Sequence, residues 1–305
     1  MKIKENPKVG VSVTTYNAEK YVRECVESLL RQTYPHLKIV ISDDCSQDDT
    51  REILQKYAND YPDRIRLMIN PINLGIHPNV NQSLRELSGV EYISLIAGDD
   101  CWREDKLERE INKLEQNPSA RFAYSKICFI DSDSKRMDTP EHRSRGFDNR
   151  QEMLQNLLEH KLIMLNWTAE YELLKETGMF FDESMHYASD WDYHLRLVSK
   201  SEAVFCPDPT VFYRRHSESI TFKGDYRLYH SDLVKAHRKN AQLLKKLSCA
   251  DSLSVQRQQR QILISTVGLW LRSSVKKKKL WHIFKCLWLK LFYKITPLPH
   301  SNPKG

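Results

Sequence analysis

The sequence predicts an α/β fold with a mostly parallel, doubly wound sheet flanked by helices, followed by an α-helical C-terminal extension. Short apolar runs alternate with amphipathic helical patterns through the first third of the chain, which is typical of βαβ units. Acidic pairs follow two of these runs, where strands are expected to end. Beyond Asp225 the pattern changes to long helices without intervening strand patterns.

The individual elements follow from hydrophobic periodicity and capping residues. Strands are predicted at 9–14, 37–42, 64–70, 92–96, 122–130, 203–205 and 211–214, with a helix at 189–199. Asn17 is expected to cap the helix after the first strand. Ser46 and Asp49 have the spacing of a capping box for the next helix.

Composition and charge restrict the class of protein. The chain has 305 residues and a net charge of +7, but residues 231–305 hold 16 Lys/Arg and 2 Asp/Glu, against 31 and 38 in residues 1–230. Seven scattered cysteines without a CxxC pair argue against a disulfide framework or a zinc site and favour the cytosol. We see no signal-peptide pattern and no apolar stretch near the ~20 residues of a spanning helix.

This asymmetry predicts two parts. Residues 1–224 are expected to form an acidic-to-neutral enzyme domain. Residues 225–305 are expected to form a basic helical extension.

The acidic pairs Asp43/Asp44 and Asp99/Asp100 lie at the predicted carboxyl ends of two strands, where open α/β sheets bind ligands. Helix capping would also explain either pair alone. The chain has neither the GxGxxG motif of dinucleotide binding nor a P-loop. A diphosphate beside so many carboxylates needs a divalent cation, and Mn²⁺ or Mg²⁺ held by one or two carboxylates and the substrate phosphates meets that need.

An ordered run of segments resembles glycosyltransferase family 2. The matching segments are 11–17, 28–35, 39–46, 73–75 with Asn81, and 91–100, which ends in Gly98-Asp99-Asp100. The resemblance implies a GT-A fold and an inverting transfer of a sugar from a nucleotide-sugar donor, with UDP as the expected nucleotide. It also implies that residues 1–224 are a catalytic domain with a nucleotide-sugar-binding half at 1–116 and an acceptor half at 117–224. A bacterial surface polysaccharide is the product type that it implies.

The resemblance also assigns roles to residues of the first half. Thr14 and Tyr16 are expected to line the nucleoside pocket, and Asp44 is expected to bind the base. Asp99 is expected near the ribose or the sugar, and Asp100 at the metal. His216, in Tyr213-Arg214-Arg215-His216, is expected to orient the metal or the phosphate.

In the second half, the segment 189–197 is similar to the family's catalytic-base motif, and Asp190 matches the base. Asp192 is the alternative if the register shifts. Ser189 stands where the family usually has Glu, and Val80 stands where it often has Arg. The expected acceptor is a hydroxyl of a glycan or of a lipid-linked glycan.

The last helical segment combines lysines with aromatic residues. On a helical wheel, Lys278, Lys279, His282, Lys285, Lys290 and Lys294 fall on one half, and Leu280, Trp281, Phe284, Leu287, Trp288, Leu291 and Phe292 fall on the other. This pattern predicts peripheral contact with the inner face of the membrane. Docking of the helix on protein is the alternative, and no nucleic-acid-binding module accompanies the basic stretch.

Two other functions remain open at this point: a catalytically inactive sugar-nucleotide-binding or scaffold protein, and a sugar-nucleotide nucleotidyltransferase. The intact Asp44, Asp99, Asp100 and Asp190 disfavour the first. The second would normally carry a glycine-rich and basic loop after the first strand, where this chain has Thr14-Thr15-Tyr16-Asn17. The sequence leaves the sugar, the acceptor and the oligomeric state undetermined.

Overall fold

The structure is a computed structural model that describes residues 7–138, 144–162, 164–219, 225–277 and 279–295. Its described strands form one eight-stranded sheet in the order β3-β2-β1-β4-β7-β6-β8-β5. The strands are β1 Val9–Thr15, β2 Leu37–Asp43, β3 Ile65–Ile69, β4 Tyr92–Ala97, β5 Cys101–Trp102, β6 Ala120–Ile130, β7 Thr168–Glu170 and β8 Glu202–Arg214.

One half of the sheet is parallel and the other is mixed. Strands β3, β2, β1 and β4 pair in parallel. Strand β7 is antiparallel to both β4 and β6, whereas β6 and β8 are parallel and β5 runs antiparallel to β8. The predicted α/β class and mostly parallel sheet are confirmed.

Helices alternate with these strands along the chain. Those of the first two thirds of the chain are α1 Val22–Leu30, α2 Thr50–Asp60, α3 Ile76–Arg85, α4 Lys106–Gln116, α5 Arg150–Leu158, α6 Tyr171–Glu176 and α7 Ser189–Lys200. Val9, Val11 and Val13 of β1 are fully buried, as are Gly10 and Ser12 between them. A strand covered on both faces needs a continuous run of small and apolar residues, which is what β1 has.

The two capping predictions are wrong. Helix α1 begins at Val22, and Asn17 instead adopts a left-handed backbone conformation with φ of 48°. Its side-chain Oδ1 accepts a hydrogen bond from the N–H of Gln47 at 2.8 Å. Helix α2 begins at Thr50, and Ser46 donates its hydroxyl to Asp43 Oδ1 at 2.5 Å. Ser46 Oγ also accepts the N–H of Asn17 at 2.9 Å, so both polar residues link the loops that follow β1 and β2.

The two short strands predicted at 203–205 and 211–214 are one strand, β8. Its pairing with β6 shifts register on either side of Lys126, opposite Cys206 and Pro209. Proline cannot donate to a sheet ladder, so a bulge is the usual way to include it within a strand.

The chain divides into two compact units. The first contains Met1–Arg150, Leu162–Phe181 and Arg196–His216, and therefore the whole described sheet. The second contains Gln151–Lys161, Asp182–Leu195 and Ser217–Gly305. The predicted division at residue 224 remains a prediction.

The second unit contains the C-terminal helices α8 Tyr226–Lys239, α9 Cys249–Lys276 and α10 Leu280–Ile295, with a 3₁₀ helix at Ala241–Lys246. Side-chain caps start two of them: Asp225 accepts from the N–H of Arg227, and Ser248 accepts from the N–H of Asp251. In the described part of the chain, no helix combines the length and the apolar character that crossing a bilayer requires.

Candidate active site

The carboxyl ends of the parallel strands β1, β2 and β4 meet at one edge of the sheet. Thr14 of β1 pairs with Ser42 on one side and with Ala97 on the other. Asp44 follows β2 directly, and Asp99 follows β4 after one glycine. Tertiary structure therefore brings the predicted nucleoside and metal residues of the first half to a single edge, where ligands of open α/β sheets bind.

Thr14 lies near the end of β1, and Tyr16 comes directly after the strand. The Tyr16 ring is 50% exposed at this edge, which leaves its face open to a planar ligand. Thr14 is partly buried. Thr15 between them points the other way and donates its hydroxyl to Asp43 Oδ1 at 3.0 Å. Asp43 is thus used to link β1 to β2.

Asp44 is buried and organises the loop before α3. Its Oδ1 accepts from the N–H of Leu74 at 2.8 Å and from Asn70 Nδ2 at 3.1 Å, and its Oδ2 accepts from the N–H of Gly75 at 2.8 Å. Gly75 has a φ of 89°, a region that favours glycine. A carboxylate has about four acceptor directions, so one remains for a ligand donor.

Asp99 and His216 form a pair at the β4 end of the edge. The Nε2 of His216 lies 3.0 Å from Asp99 Oδ2, and the Asp99 side chain is 31% exposed. The His216 ring also packs on Tyr21, with the ring centroids 4.7 Å apart. His216 comes just after β8, which places it beside the β4 end although the two residues are far apart in sequence.

Asp100 faces inward rather than toward this pair. Its Oδ1 accepts the backbone N–H of Arg214 at 2.9 Å, and its Oδ2 lies 3.5 Å from Asn166 Nδ2. Burial raises the pKa of Asp100 well above its usual range, and the neighbouring Asp99 carboxylate raises it further.

Sequence reasoning missed the role of Arg214, a fully buried guanidinium behind the acidic pair. It donates from Nε to the carbonyl of Asp99 at 2.8 Å and from Nη1 to the carbonyl of Asp131 at 3.0 Å. Ser134 and Glu24 accept its remaining hydrogen bonds. A charged residue inside the apolar run at 211–214 was the available signal. Arg214 therefore fixes the backbone of Asp99 through this hydrogen bond to its carbonyl oxygen.

The residues of this edge fit a divalent cation held by few protein ligands. A carboxylate oxygen and an imidazole nitrogen are donors that Mn²⁺ accepts, and Mg²⁺ and Mn²⁺ sites are commonly completed by substrate phosphates. His216 Nδ1 is buried without a hydrogen-bond partner among the described residues, so Nε2 is the ring atom that faces the site. Within those residues, no three His, Cys, Asp or Glu side chains cluster closely enough to hold a metal without substrate.

The candidate base lies in the second unit. Asp190 is exposed at the start of α7, and its Oδ1 accepts the N–H of Trp191 at 2.6 Å. Asp192, the alternative, is fully buried and bound by Lys239 Nζ and Asn240 Nδ2, both at 2.9 Å. Only Asp190 of the two is accessible to an acceptor.

Contacts within the second unit hold the start of α7 in place. Trp191 donates its indole N–H to the carbonyl of Leu157 at 2.7 Å. Ser189, where the family usually has Glu, is fully buried, and its hydroxyl accepts the N–H of Asp182 at 2.7 Å. The serine therefore has a structural partner within the turn before the helix.

Comparisons with known proteins identify the family of this chain. The sequence profile of Glycosyl transferase family 2 matches residues 11–177, more than half of the chain. A Bacillus subtilis protein named as the teichuronic acid biosynthesis glycosyltransferase TuaG is 33% identical over 132 residues, which cover 43% of this chain and 51% of TuaG. The chain spans about half the length of the curated relatives it matches.

Solved structures share the fold. TarS residues 1–349 from S. aureus superpose with a TM-score of 0.68 at 17% identity, covering 96% of this chain and 81% of that one. The mannosyltransferase PcManGT from Pyrobaculum calidifontis, in complex with GDP-Man and Mn²⁺, has a TM-score of 0.59 at 18% identity, covering 95% and 83%. Because the profile matches more than half of the residues, this chain belongs to glycosyltransferase family 2.

Proposed function

We propose that the enzyme is a metal-dependent, inverting glycosyltransferase that moves a sugar from a UDP-sugar to a hydroxyl of a glycan or of a lipid-linked glycan. The observation that carries the proposal is the arrangement of one sheet edge. A buried acid with a free acceptor direction, Asp44, and an exposed aromatic ring, Tyr16, lie at the same strand ends as the Asp99–His216 pair.

The donor end of the proposal uses Thr14, Tyr16 and Asp44. The open Tyr16 ring offers a stacking surface for a base, and the remaining acceptor direction of Asp44 suits an N–H donor such as that of uracil. TarS in complex with UDP-GlcNAc shares the fold, with a TM-score of 0.59. PcManGT is in complex with GDP-Man, so the donor panel described below includes both UDP-sugars and GDP-sugars to identify the nucleobase.

The metal end uses Asp99 and His216, with Asp100 behind them. The resemblance placed Asp100 at the metal, but Asp100 is buried whereas the Asp99 side chain is 31% exposed, so we propose Asp99 as the carboxylate that shares the cation with His216. When bound, Mn²⁺ or Mg²⁺ supplies positive charge that neutralises the departing diphosphate. Arg214 contributes by holding the backbone of Asp99 in position.

Asp190 is the proposed general base. An acceptor hydroxyl becomes an effective nucleophile as its proton is removed, and an exposed carboxylate on a fixed helix start suits that task. The displacement at the anomeric carbon then passes through an oxocarbenium-like state and inverts the configuration.

We place the enzyme in the cytoplasm, at the inner face of the membrane. A lipid-linked acceptor would be reached from that surface, and the lysine-rich last helix supports peripheral contact with it. The proposed catalytic domain ends at residue 224, and the basic extension at 225–305 provides the membrane contact.

Donor turnover tests the transferase proposal directly. Release of the nucleotide diphosphate would be measured over a panel of UDP- and GDP-sugars, with Mn²⁺, with Mg²⁺ and with chelator, on wild type, Asp99→Asn and Asp100→Asn. Metal-dependent release from one donor, lost in Asp99→Asn, is expected. A protein that binds the donor calorimetrically but releases no diphosphate with any acceptor glycan would be a binding protein, and the proposal would be wrong.

The base assignment has its own test. Asp190→Asn is expected to lower turnover by about 10²- to 10⁴-fold while donor affinity stays unchanged, since the base acts on the acceptor. Asp63→Asn, an exposed acid elsewhere on the surface, is the matched control. Turnover by Asp190→Asn within a few-fold of that control would exclude Asp190 as the base.

A further inference from the structure

Among its described side chains, helix α10 packs on its own unit through the face that carries His282, Cys286 and Tyr293. Cys286 and Tyr293 are buried on that face, and the Tyr293 hydroxyl lies 3.2 Å from His230 Nε2 of α8. The His282 ring packs on Trp270 of α9, with the ring centroids 5.7 Å apart. The helix therefore lies along the surface of the second unit.

The opposite face of α10 is apolar and open. Trp281 is 77% exposed, Phe284 67% and Trp288 61%. The remaining members of this face are Leu287, Leu291 and Phe292, which are also exposed. At about 100° per residue these six side chains cover an arc of about 140°, which is a broad stripe rather than a few scattered residues. We call these six residues the apolar stripe.

Positive charge borders the apolar stripe, and the sequence from residue 252 onward contains no acid. Lys276, Lys277 and Lys279 are exposed just before the helix, and Lys285 is exposed beside the stripe. From residue 252 to the end, the sequence has eleven Lys/Arg and no Asp or Glu. A stripe of tryptophan and leucine edged by lysines has the composition of a helix that lies in the interface of an anionic bilayer.

We infer that the apolar stripe of α10 inserts into the headgroup region of an anionic bilayer while the bordering lysines bind lipid phosphates. A second copy of the chain is the competing occupant of such a face. A two-fold contact would place the lysine borders of two copies close together, with no acid on either helix to offset their repulsion. An anionic lipid surface supplies the missing negative charge.

This inference deepens the proposed function, because it names the surface through which the enzyme would reach a lipid-linked acceptor. The link to that acceptor rests on the proposed function, whereas the membrane contact itself does not. Tryptophan and phenylalanine provide the apolar burial. Each lysine near an anionic surface adds a favourable electrostatic contribution that salt weakens. Binding is therefore expected to need both the stripe and the charge.

Vesicle flotation with the full-length protein tests the apolar part. Wild type is expected to float with phosphatidylethanolamine–phosphatidylglycerol vesicles, and Trp281→Ser/Trp288→Ser is expected to bind about 100-fold more weakly, near ten-fold for each exposed ring. Tyr61→Ser/Ile72→Ser replaces two exposed apolar residues of the first unit and should bind as wild type does. Equal binding by the tryptophan variant and wild type would overturn the inference.

A second variant tests the charge without touching the helix packing. Lys276→Gln/Lys277→Gln/Lys279→Gln is expected to lower binding by about five-fold per lysine, and vesicles of phosphatidylcholine alone should bind wild type poorly. Lys20→Gln/Lys56→Gln, two exposed lysines of the first unit, is the control. Binding that ignores lipid charge and lysine number would contradict the inference.

Sedimentation velocity separates the bilayer from a second copy. A dimer that dissociates in Trp281→Ser/Trp288→Ser, together with no vesicle binding by wild type, would assign the stripe to self-association and overturn the inference. Donor turnover in vesicle-free buffer is measured in parallel. Turnover without vesicle binding means that the membrane inference fails alone, and vesicle binding without turnover means that the transferase proposal fails alone.

Discussion

Lys106 and Glu110 form a fully buried ion pair one turn apart on α4, and we predict that breaking it destabilises the protein severely. The Lys106 Nζ lies 2.9 Å from Glu110 Oε2 and donates to Ser94 Oγ at 2.8 Å and Thr168 Oγ1 at 3.0 Å. Ser125 donates to Glu110 Oε1 at 2.6 Å. Burial lowers the pKa of Lys106, so the charged state depends on these partners.

The expected loss follows from what remains after one partner is removed. Lys106→Met leaves the Glu110 carboxylate buried without its cation, which typically costs about 3–5 kcal/mol. For a unit of this size, that corresponds to a fall in Tm of about 10 °C. The double variant Lys106→Met/Glu110→Leu removes both charges together, so it should lose about 2–3 kcal/mol less than the sum of the two single variants.

Thermal unfolding of wild type, Lys106→Met, Glu110→Leu and the double variant measures this coupling. Lys113→Met, an exposed lysine on the same helix, is the control and should keep the wild-type Tm within about 2 °C. Ser94 belongs to β4, so donor turnover at low temperature shows whether the folded variant keeps its strand ends in place. If the Tm of Lys106→Met equalled that of the Lys113→Met control, the buried pair would have no stabilising role and the reasoning would be refuted.

Three further predictions concern the site and the last helix. In Arg214→Lys, the lysine cannot reach all the partners of the arginine, so the hydrogen bond to Glu24 is lost. Turnover should fall at least ~10-fold, and a Mn²⁺ titration should show that more metal is required. Asp44→Asn places an amide donor against the N–H of Leu74 or Gly75, at a cost of about 1–3 kcal/mol, and calorimetry should show weaker donor binding. Burial and the nearby Lys285 lower the pKa of His230 to about 4. As the pH falls, the unfolded chain therefore takes up this proton before the folded protein does. The free energy of unfolding should decrease by up to about 3 kcal/mol between pH about 6.5 and about 4, which urea unfolding measures.

The parts of the fold that sequence alone predicted are those that local pattern controls. Strands β1 to β4 follow from apolar runs that end in polar residues, and their predicted bounds agree with the structure within one residue. Asp44, Asp99 and Asp100 could be placed at strand ends for the same reason. The capping predictions for Asn17 and Ser46 failed, because a polar side chain near a helix start can take a partner from another loop.

Side-chain direction and long-range partners were decided only by tertiary structure. The sequence placed both Asp190 and Asp192 at the start of one helix, but burial by α8 and hydrogen bonds from Lys239 and Asn240 take Asp192 out of reach of an acceptor. His216 lies against Asp99, 117 residues away in the chain, and the sequence had not paired them.

The last helix shows the same division. Its amphipathic pattern, its lysines and its aromatic residues are properties of the sequence, since side-chain periodicity is local. The face that packs on the protein is not determined by the sequence alone. Cys286 and Tyr293, which interrupt the polar half of the helical wheel, are the residues that pack inward. That choice depends on the surface that α8 and α9 present, and such complementarity between distant segments exists only once the chain has folded.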